Sequence, residues 1–186
     1  SNIKFDNIED YKDIMTINWY ELTKAEGGDL EQFMESHKLC ARDNARTPVH
    51  WDDSPNAGFT TGVPWIKVNP NYTEINVAAQ EHDHDSELNY FRALNALRKE
   101  SLTIIYGRYD LLLPEHEDVY AYTRTLDEEM VLVLLNFSAN EHRLELNKLV
   151  AQDTTAASIL LDNYAHHAVA SELGYLRAYQ AQVIKL

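Results

Sequence analysis

Between Ala41 and His82 the chain carries Pro48, Pro55, Pro64 and Pro70 and shows no periodic stretch longer than a turn. Each proline fixes φ and removes a backbone donor, so helices and central strands are broken at every one of them. A loop of roughly forty residues inside a compact domain is usually either functional or disordered. Trp51, Phe59, Trp65, Ile66, Val68 and Tyr72 are too many large apolar groups for disorder. The expectation is an ordered wrap laid over another surface.

Periodic segments flank this wrap. Residues 6–25 carry Ile8, Tyr11, Ile14, Met15, Trp19 and Leu22 three and four apart, the pattern of an amphipathic helix ending at Gly27-Gly28. A second helix is predicted over 29–39, capped by Asp29, with Leu30, Phe33 and Met34 on its apolar face. A third runs from Ser86 to Glu100, where Arg98 and Lys99 suit the negative end of the dipole. Near residue 102 the period changes from about 3.6 to 2. Strands are predicted at Leu102–Leu113, Asp118–Arg124, Glu129–Phe137, Arg143–Leu146, Ala157–Leu161 and Leu173–Lys185. Short strands separated by polar turns read as an antiparallel β-sandwich, with Val119, Ala121, Met130, Leu132, Leu134, Leu144 and Leu146 facing inward. The helices of the first half present apolar faces that nothing else in the chain obviously covers. A complete domain seldom reads this way.

Charge narrows the choice of partner. Thirty acidic residues against 16 Lys and Arg give a net charge of −14, which repels phosphates and anionic headgroups. Nucleic acid and membrane surfaces are poor partners for such a chain, whereas a neutral ligand is indifferent to its charge. Cys40 is the single cysteine, so no intrachain disulfide forms, and a reducing compartment suits the sequence. No apolar run approaches the roughly 20 residues of a membrane span. Ser1-Asn2-Ile3 has neither an initiator Met nor a signal-peptide core, and the chain reads as part of something longer.

Few strings suggest chemistry. Glu81-His82-Asp83-His84-Asp85 has metal-ligand residue types, but Asp83 as the cap of the following helix is the simpler reading, and no metal is assigned. His166-His167 reads as solvated surface, and Cys40 as a small buried apolar group. No P-loop, G-x-G-x-x-G or G-x-S-x-G string is present, and no cofactor is implied. The segment from Ala41 to Asp52 differs from these. It sets Arg42 and Arg46 four apart, beside Asp43, Asn44 and Trp51. Guanidinium forks bind vicinal hydroxyls or carboxylates, and indole faces stack on sugar rings. An internal salt-bridge knot that stiffens the loop is an equally weighted reading.

The residues Arg-Asp-Asn-Ala-Arg-Thr-Pro at 42–48, Trp51-Asp52 and Ser54-Pro55-Asn56-Ala57-Gly58-Phe59-Thr60 closely resemble glycoside hydrolase family 13, in its α-glucosidase branch of oligo-1,6-glucosidases, maltases and sucrose isomerases. Pro64-Trp65-Ile66, Val68-Asn69-Pro70-Asn71-Tyr72, Ile75-Asn76-Val77-Ala78-Ala79-Gln80, Tyr106-Gly107, Leu112-Leu113-Pro114 and Leu135-Asn136-Phe137-Ser138 extend the likeness over essentially the whole chain. Val49-His50 stands where Met-Gln is usual, and His84 where a helix-starting Pro is common. The resemblance implies an α+β chain. Residues 1–101 would be the last βα loop and last helix of a (β/α)8 barrel, and 102–186 an antiparallel β-sandwich C-terminal domain.

It also implies a cytoplasmic retaining α-glucosidase that releases terminal glucose from short α-glucosides. Its catalytic carboxylates would all lie outside this chain, leaving the chain alone inactive. By motif, Arg42 matches the arginine gripping the nonreducing glucose in the −1 subsite, paired to an upstream Asp, and Arg46 matches the one on the +1 side. The uncovered barrel-facing surface implies self-association. A competing reading makes the second half a stand-alone carbohydrate-binding or scaffolding module. That reading needs an exposed aromatic platform, for which the second half offers tyrosines such as Tyr106, Tyr109, Tyr120 and Tyr122 but no tryptophan.

Overall fold

A computed structural model describes residues 3–164 and 172–186; the histidine pair at 166 and 167 lies outside them. The chain divides into two compact units, Ser1–His82 and Asp83–Leu186.

The first unit is helical and irregular. Helix α1 (Ile14–Ala25) is capped by Asp13, and α2 (Leu30–Cys40) by Asp29, whose Oδ1 accepts from Gln32 N at 2.9 Å. The helix expected from residue 6 therefore begins eight residues late. A 3-10 turn at Ile8–Asp10 precedes it, and Tyr11 is extended. The cause is Asp43, whose Oδ2 accepts from the backbone N–H of Lys12 (2.6 Å) and Asp13 (2.8 Å) and so takes donors that a longer helix would direct elsewhere. Tyr11 instead enters the small core of Phe5, Ala41 and Ile66, its ring 5.0 Å from that of Phe5. α1 ends on left-handed Gly27, with Gly28 N donating to Thr23 O at 2.8 Å. The predicted wrap is ordered. It passes through short turns at Arg42–Ala45, Pro55–Gly58 and Pro70–Thr73 before the one-turn helix α3 (Val77–Glu81). Cys40 is exposed, which corrects its reading as buried: it closes α2 on a side that this unit's core does not reach.

In the second unit α4 (Glu87–Glu100) starts where predicted, but its cap is Ser86, whose Oγ accepts from Asn89 N at 3.3 Å. Asp83, expected to cap, instead accepts from Asp85 N at 2.9 Å, one turn too early. A second helix, α5 (Leu102–Tyr106), replaces the first part of the strand expected at Leu102–Leu113, because the Ser101 hydroxyl caps it through Ile104 N. The strands are β1 (Arg108–Leu112), β2 (Val119–Leu126), β3 (Glu129–Asn136), β4 (His142–Arg143), β5 (Ser158–Asp162), β6 (Tyr175–Leu176) and β7 (Ala181–Lys185). Leu146–Leu149, partly assigned above to a strand, is a helical turn, α6. In the stretch Leu173–Lys185, left-handed Gly174 leads into β6 and left-handed Tyr179 separates it from β7.

Five strands form one antiparallel sheet in the order β1-β2-β3-β7-β5, and β4 pairs with β6 as a two-stranded ribbon. The period-2 alternation sorts side chains between two faces. Val119, Ala121, Leu132, Leu134 and Ile184 form the main core with Leu146 and Leu176, from the ribbon side. Val131, Val133 and Val183 point the other way, toward Leu97 of α4 and Ile104 of α5. The expected facing sheet is thus reduced to the ribbon and α6, and helices cover the opposite face. Of the residues predicted inward, Met130 and Leu144 are only half-buried.

Candidate functional site

The two arginines singled out in the sequence come together around a pair of buried carboxylates. Asp43, fully buried, sits on the Arg42–Ala45 turn and anchors the start of α1 through the Lys12 and Asp13 amides. Its other oxygen accepts from Arg46 Nη1 at 3.3 Å. Asp13, 3% exposed, receives Arg42 as a two-point fork, Nη2 to Oδ1 at 2.5 Å and Nε to Oδ2 at 3.1 Å. Thr16 Oγ1 donates to the same carboxylate at 3.2 Å, and Arg46 Nη1 lies 3.9 Å from it. Cation and anion therefore alternate from Arg42 through Asp13 and Arg46 to Asp43. Arg42 thus pairs with an aspartate twenty-nine residues earlier in the chain.

The electrostatics follow from that geometry. The Arg42 fork, with the Thr16 hydroxyl and the Met15 amide, holds the Asp13 carboxyl below the usual aspartate range, against the opposing effect of burial. The same carboxylate raises Arg42 above its already high value. Arg42 thus stays charged and fixed in orientation, while its side chain remains about half exposed and can offer donors outward.

The rest of the wrap is held by bonds of its own. Asn56, Ala57 and Gly58 all take left-handed φ, at 56°, 60° and 63°. Two consecutive non-glycine residues there store about 1–3 kcal/mol each. Ala57 O repays part of it by accepting from Trp51 N at 2.8 Å and Asp52 N at 3.3 Å. Gly58 is required: a Cβ would lie 2.6 Å from Asp52 Oδ1, the carboxylate that also accepts from Ser54 N. His50 and Trp51 are tied to the far end of the wrap, their carbonyls accepting from Val77 N and Ala78 N. Trp51, Phe59 and Trp65 are left exposed as aromatic surfaces.

Arg42 and Arg46 are thus brought to one cluster; of its two keystones the sequence reading named Asp43 beside the arginines without giving it a role, and did not name Asp13. Asp13 had a signal, since it stands just before the first apolar residue of a periodic run, as a cap does. Asp43 had none beyond its place between two arginines. Among the described residues no three His, Cys, Asp or Glu side chains converge as a metal set, and no helix is long and apolar enough to cross a membrane.

Comparison with known proteins gives this geometry a context. Residues 7–107 match the α-amylase catalytic domain, and residues 109–164 the maltogenic amylase C-terminal domain. α4 therefore falls within the catalytic-domain match although it packs with the sheet. Over 187 residues the chain is 43% identical to the oligo-1,6-glucosidase of Bacillus cereus, and over 188 residues 44% identical to that of Parageobacillus thermoglucosidasius, covering all of this chain in each case. It spans only 33% of the length of either relative. Among solved structures, the trehalose-6-phosphate hydrolase of Bacillus licheniformis superposes with a TM-score of 0.85 at 36% identity, covering 100% of this chain and 33% of that protein. The isomaltulose synthase of Klebsiella sp. LX3 gives 0.85 at 34% identity, with the same coverage. On these matches the chain belongs to glycoside hydrolase family 13, the α-amylase family.

Proposed function

We propose that this chain is the C-terminal third of an α-glucosidase that releases terminal glucose from short α-glucosides. In this reading residues 1–101 complete the catalytic barrel with its last loop and helix, and 102–186 form the appended sheet domain. The observation that carries it is the Arg42–Asp13 fork. A guanidinium locked along one edge by a buried carboxylate presents its outer edge in one orientation, which suits adjacent hydroxyls of a terminal sugar. Arg42 then grips the nonreducing glucose and Arg46 serves the leaving-group side. The nucleophile and the acid/base come from the remainder of the enzyme, so this chain alone turns nothing over. A single cysteine and no disulfide suit the cytoplasm as its compartment.

The test is a chimera joining the preceding two thirds of the Bacillus cereus relative to this chain. Isomaltose or a chromogenic α-glucoside should be hydrolysed by the chimera and left intact by the 186-residue chain alone. A folded but inactive chimera, or turnover by the chain alone, overturns the reading.

A further inference from the structure

The helix-facing side of the sheet carries a second surface with the makings of a ligand site, remote in sequence from the arginine loop. Antiparallel register and alternation place Tyr109 of β1 and Tyr120, Tyr122 and Arg124 of β2 on this one face, with Tyr109 opposite Arg124. α4 and α5 cover the valines of the same face but leave its β1 side open. There Tyr109 and Tyr120 remain 42% and 41% exposed. The three rings lean together, with centroids 5.3 Å apart for Tyr109 and Tyr122 and 5.5 Å for Tyr120 and Tyr122. The hydroxyls of Tyr109 and Tyr120 meet at 2.7 Å. These groups border a cavity of about 630 Å³. That volume lies within the roughly 300–1,000 Å³ typical of small-molecule sites.

The polar groups on this surface call for a neutral polyhydroxylated ligand. Arg124 Nη2 donates to Ile105 O at 3.1 Å, but its buried Nε has no partner among the described residues. Arg98 of α4 lines the same cavity. The hydrogen bond shared with Tyr120, with burial, pushes the Tyr109 phenol up to about 12, so it stays protonated at neutral pH. Donors, phenolic acceptors and tilted aromatic faces match a sugar ring, whose C–H face stacks while its rim hydroxyls bond. An anion would use the arginines but gain little from the rings, and the net charge of −14 opposes it. We propose that Tyr109, Tyr120 and Tyr122, with Arg124, form an accessory site for a short α-glucan on the sheet unit, separate from the arginine loop.

The choice of an α-glucan rests on the α-glucosidase reading, and the experiment separates the two. The labelled full chain is titrated with isomaltotriose while backbone amide shifts are followed. Saturable shifts are expected in β1 and β2. Tyr120→Ala, with amide dispersion retained, should weaken binding at least about tenfold, or 1.4 kcal/mol. Tyr120→Phe, which keeps the ring and loses the hydroxyl, should weaken it about threefold and guards against a folding artefact. Arg42→Ala should leave this affinity within about twofold, since Arg42 is bonded to Asp13 and is not among the residues lining this cavity. The proposal falls if the β1–β2 amides show no saturable shift, if Tyr120→Ala changes nothing, or if inorganic phosphate gives the stronger response. It also falls if the shifts follow protein rather than sugar concentration. Shifts lost with Arg42→Ala but not with Tyr120→Ala would sink this site and leave the proposed function standing.

Discussion

At the scale of single residues, the arginine cluster makes two predictions. In an active chimera, and on the proposed function, Arg42→Ala removes charge-assisted bonds to the sugar and strips the buried Asp13 carboxylate of its forked cation, leaving Arg46 at 3.9 Å as its remaining cation. A loss of roughly 3–5 kcal/mol in transition-state binding, about two to four powers of ten in kcat/KM, is expected from steady-state kinetics. Arg42→Lys should rescue little, because an ammonium cannot form the two-point fork. Arg46→Ala should act less, and mainly through KM. Near-normal kcat/KM in a folded Arg42→Ala enzyme would leave the cluster as a loop-stiffening knot only.

The second prediction is acid sensitivity of the first unit. The Asp13 carboxyl is depressed when folded, chiefly by Arg42. Its contribution to stability is therefore fully present above the unfolded value of about 3.9 and is lost as pH falls through the folded one. Trp19, Trp51 and Trp65 all lie in the first unit, so their fluorescence reports on it selectively. Asp13→Asn should lower stability at pH 7 by about 1–3 kcal/mol and flatten the loss below pH 4. An unchanged acid limb would remove Asp13 from this role. The two arginines were legible because their spacing is a motif. The pairing of Arg42 with Asp13 was not, because a chain with thirty acidic residues gives no local reason to choose its partner.

At the scale of elements, helix starts were legible where a capping side chain adjoins an apolar period, as at Asp29, and were missed where tertiary bonds set the boundary. Asp43 capturing the Lys12 and Asp13 amides is such a case. The run Leu102-Thr103-Ile104-Ile105-Tyr106 has the β-branched and aromatic residues of a strand. It folds as α5 because Ser101 caps it and because Thr103, fully buried, donates from Oγ1 to Glu129 Oε2 at 2.7 Å. Gly107 then permits the turn into β1. A Cβ there would meet Thr103 O at 2.4 Å and Thr125 N at 3.0 Å, both backbone atoms that cannot swing aside. Gly107→Ala is expected to destabilise the sheet unit by about 1–3 kcal/mol in urea unfolding followed by far-ultraviolet circular dichroism. A cost below about 0.5 kcal/mol would mean that α5 does not press on β2 as described. The Asn136-Phe137-Ser138 string has a similarly local cause. Asn136 Nδ2 donates to the carbonyls of Asn140 and Arg177, while its Oδ1 accepts from Ser138 N, pinning the end of β3.

At the scale of the whole molecule, one surface has no partner within its own unit. Ile14, Met15, Trp19 and Leu22 form the apolar stripe that the sequence predicted on the first helix, yet all four are exposed, Trp19 at 56%. The period of that stripe and its lack of cover within the chain were both legible, and the chain spans only a third of its relatives. Contiguous apolar patches larger than a few hundred Å² are rare on soluble monomers. In the proposed enzyme this stripe faces the rest of the barrel. Isolated, the chain has another way to remove it from water, by pairing with the same stripe on a second copy. Each large side chain buried this way is worth about 1.5–3 kcal/mol, enough over four to offset part of the cost of association. Light scattering at tens of micromolar should therefore give a mass above that of one chain, falling toward the monomer on dilution. Trp19→Glu with Leu22→Glu should hold the chain monomeric by placing two charges in the contact, while Tyr120→Ala should leave the association unchanged. A strict monomer at every concentration, with first-unit amides strongly protected from exchange, would show that the stripe is stable in water without a partner.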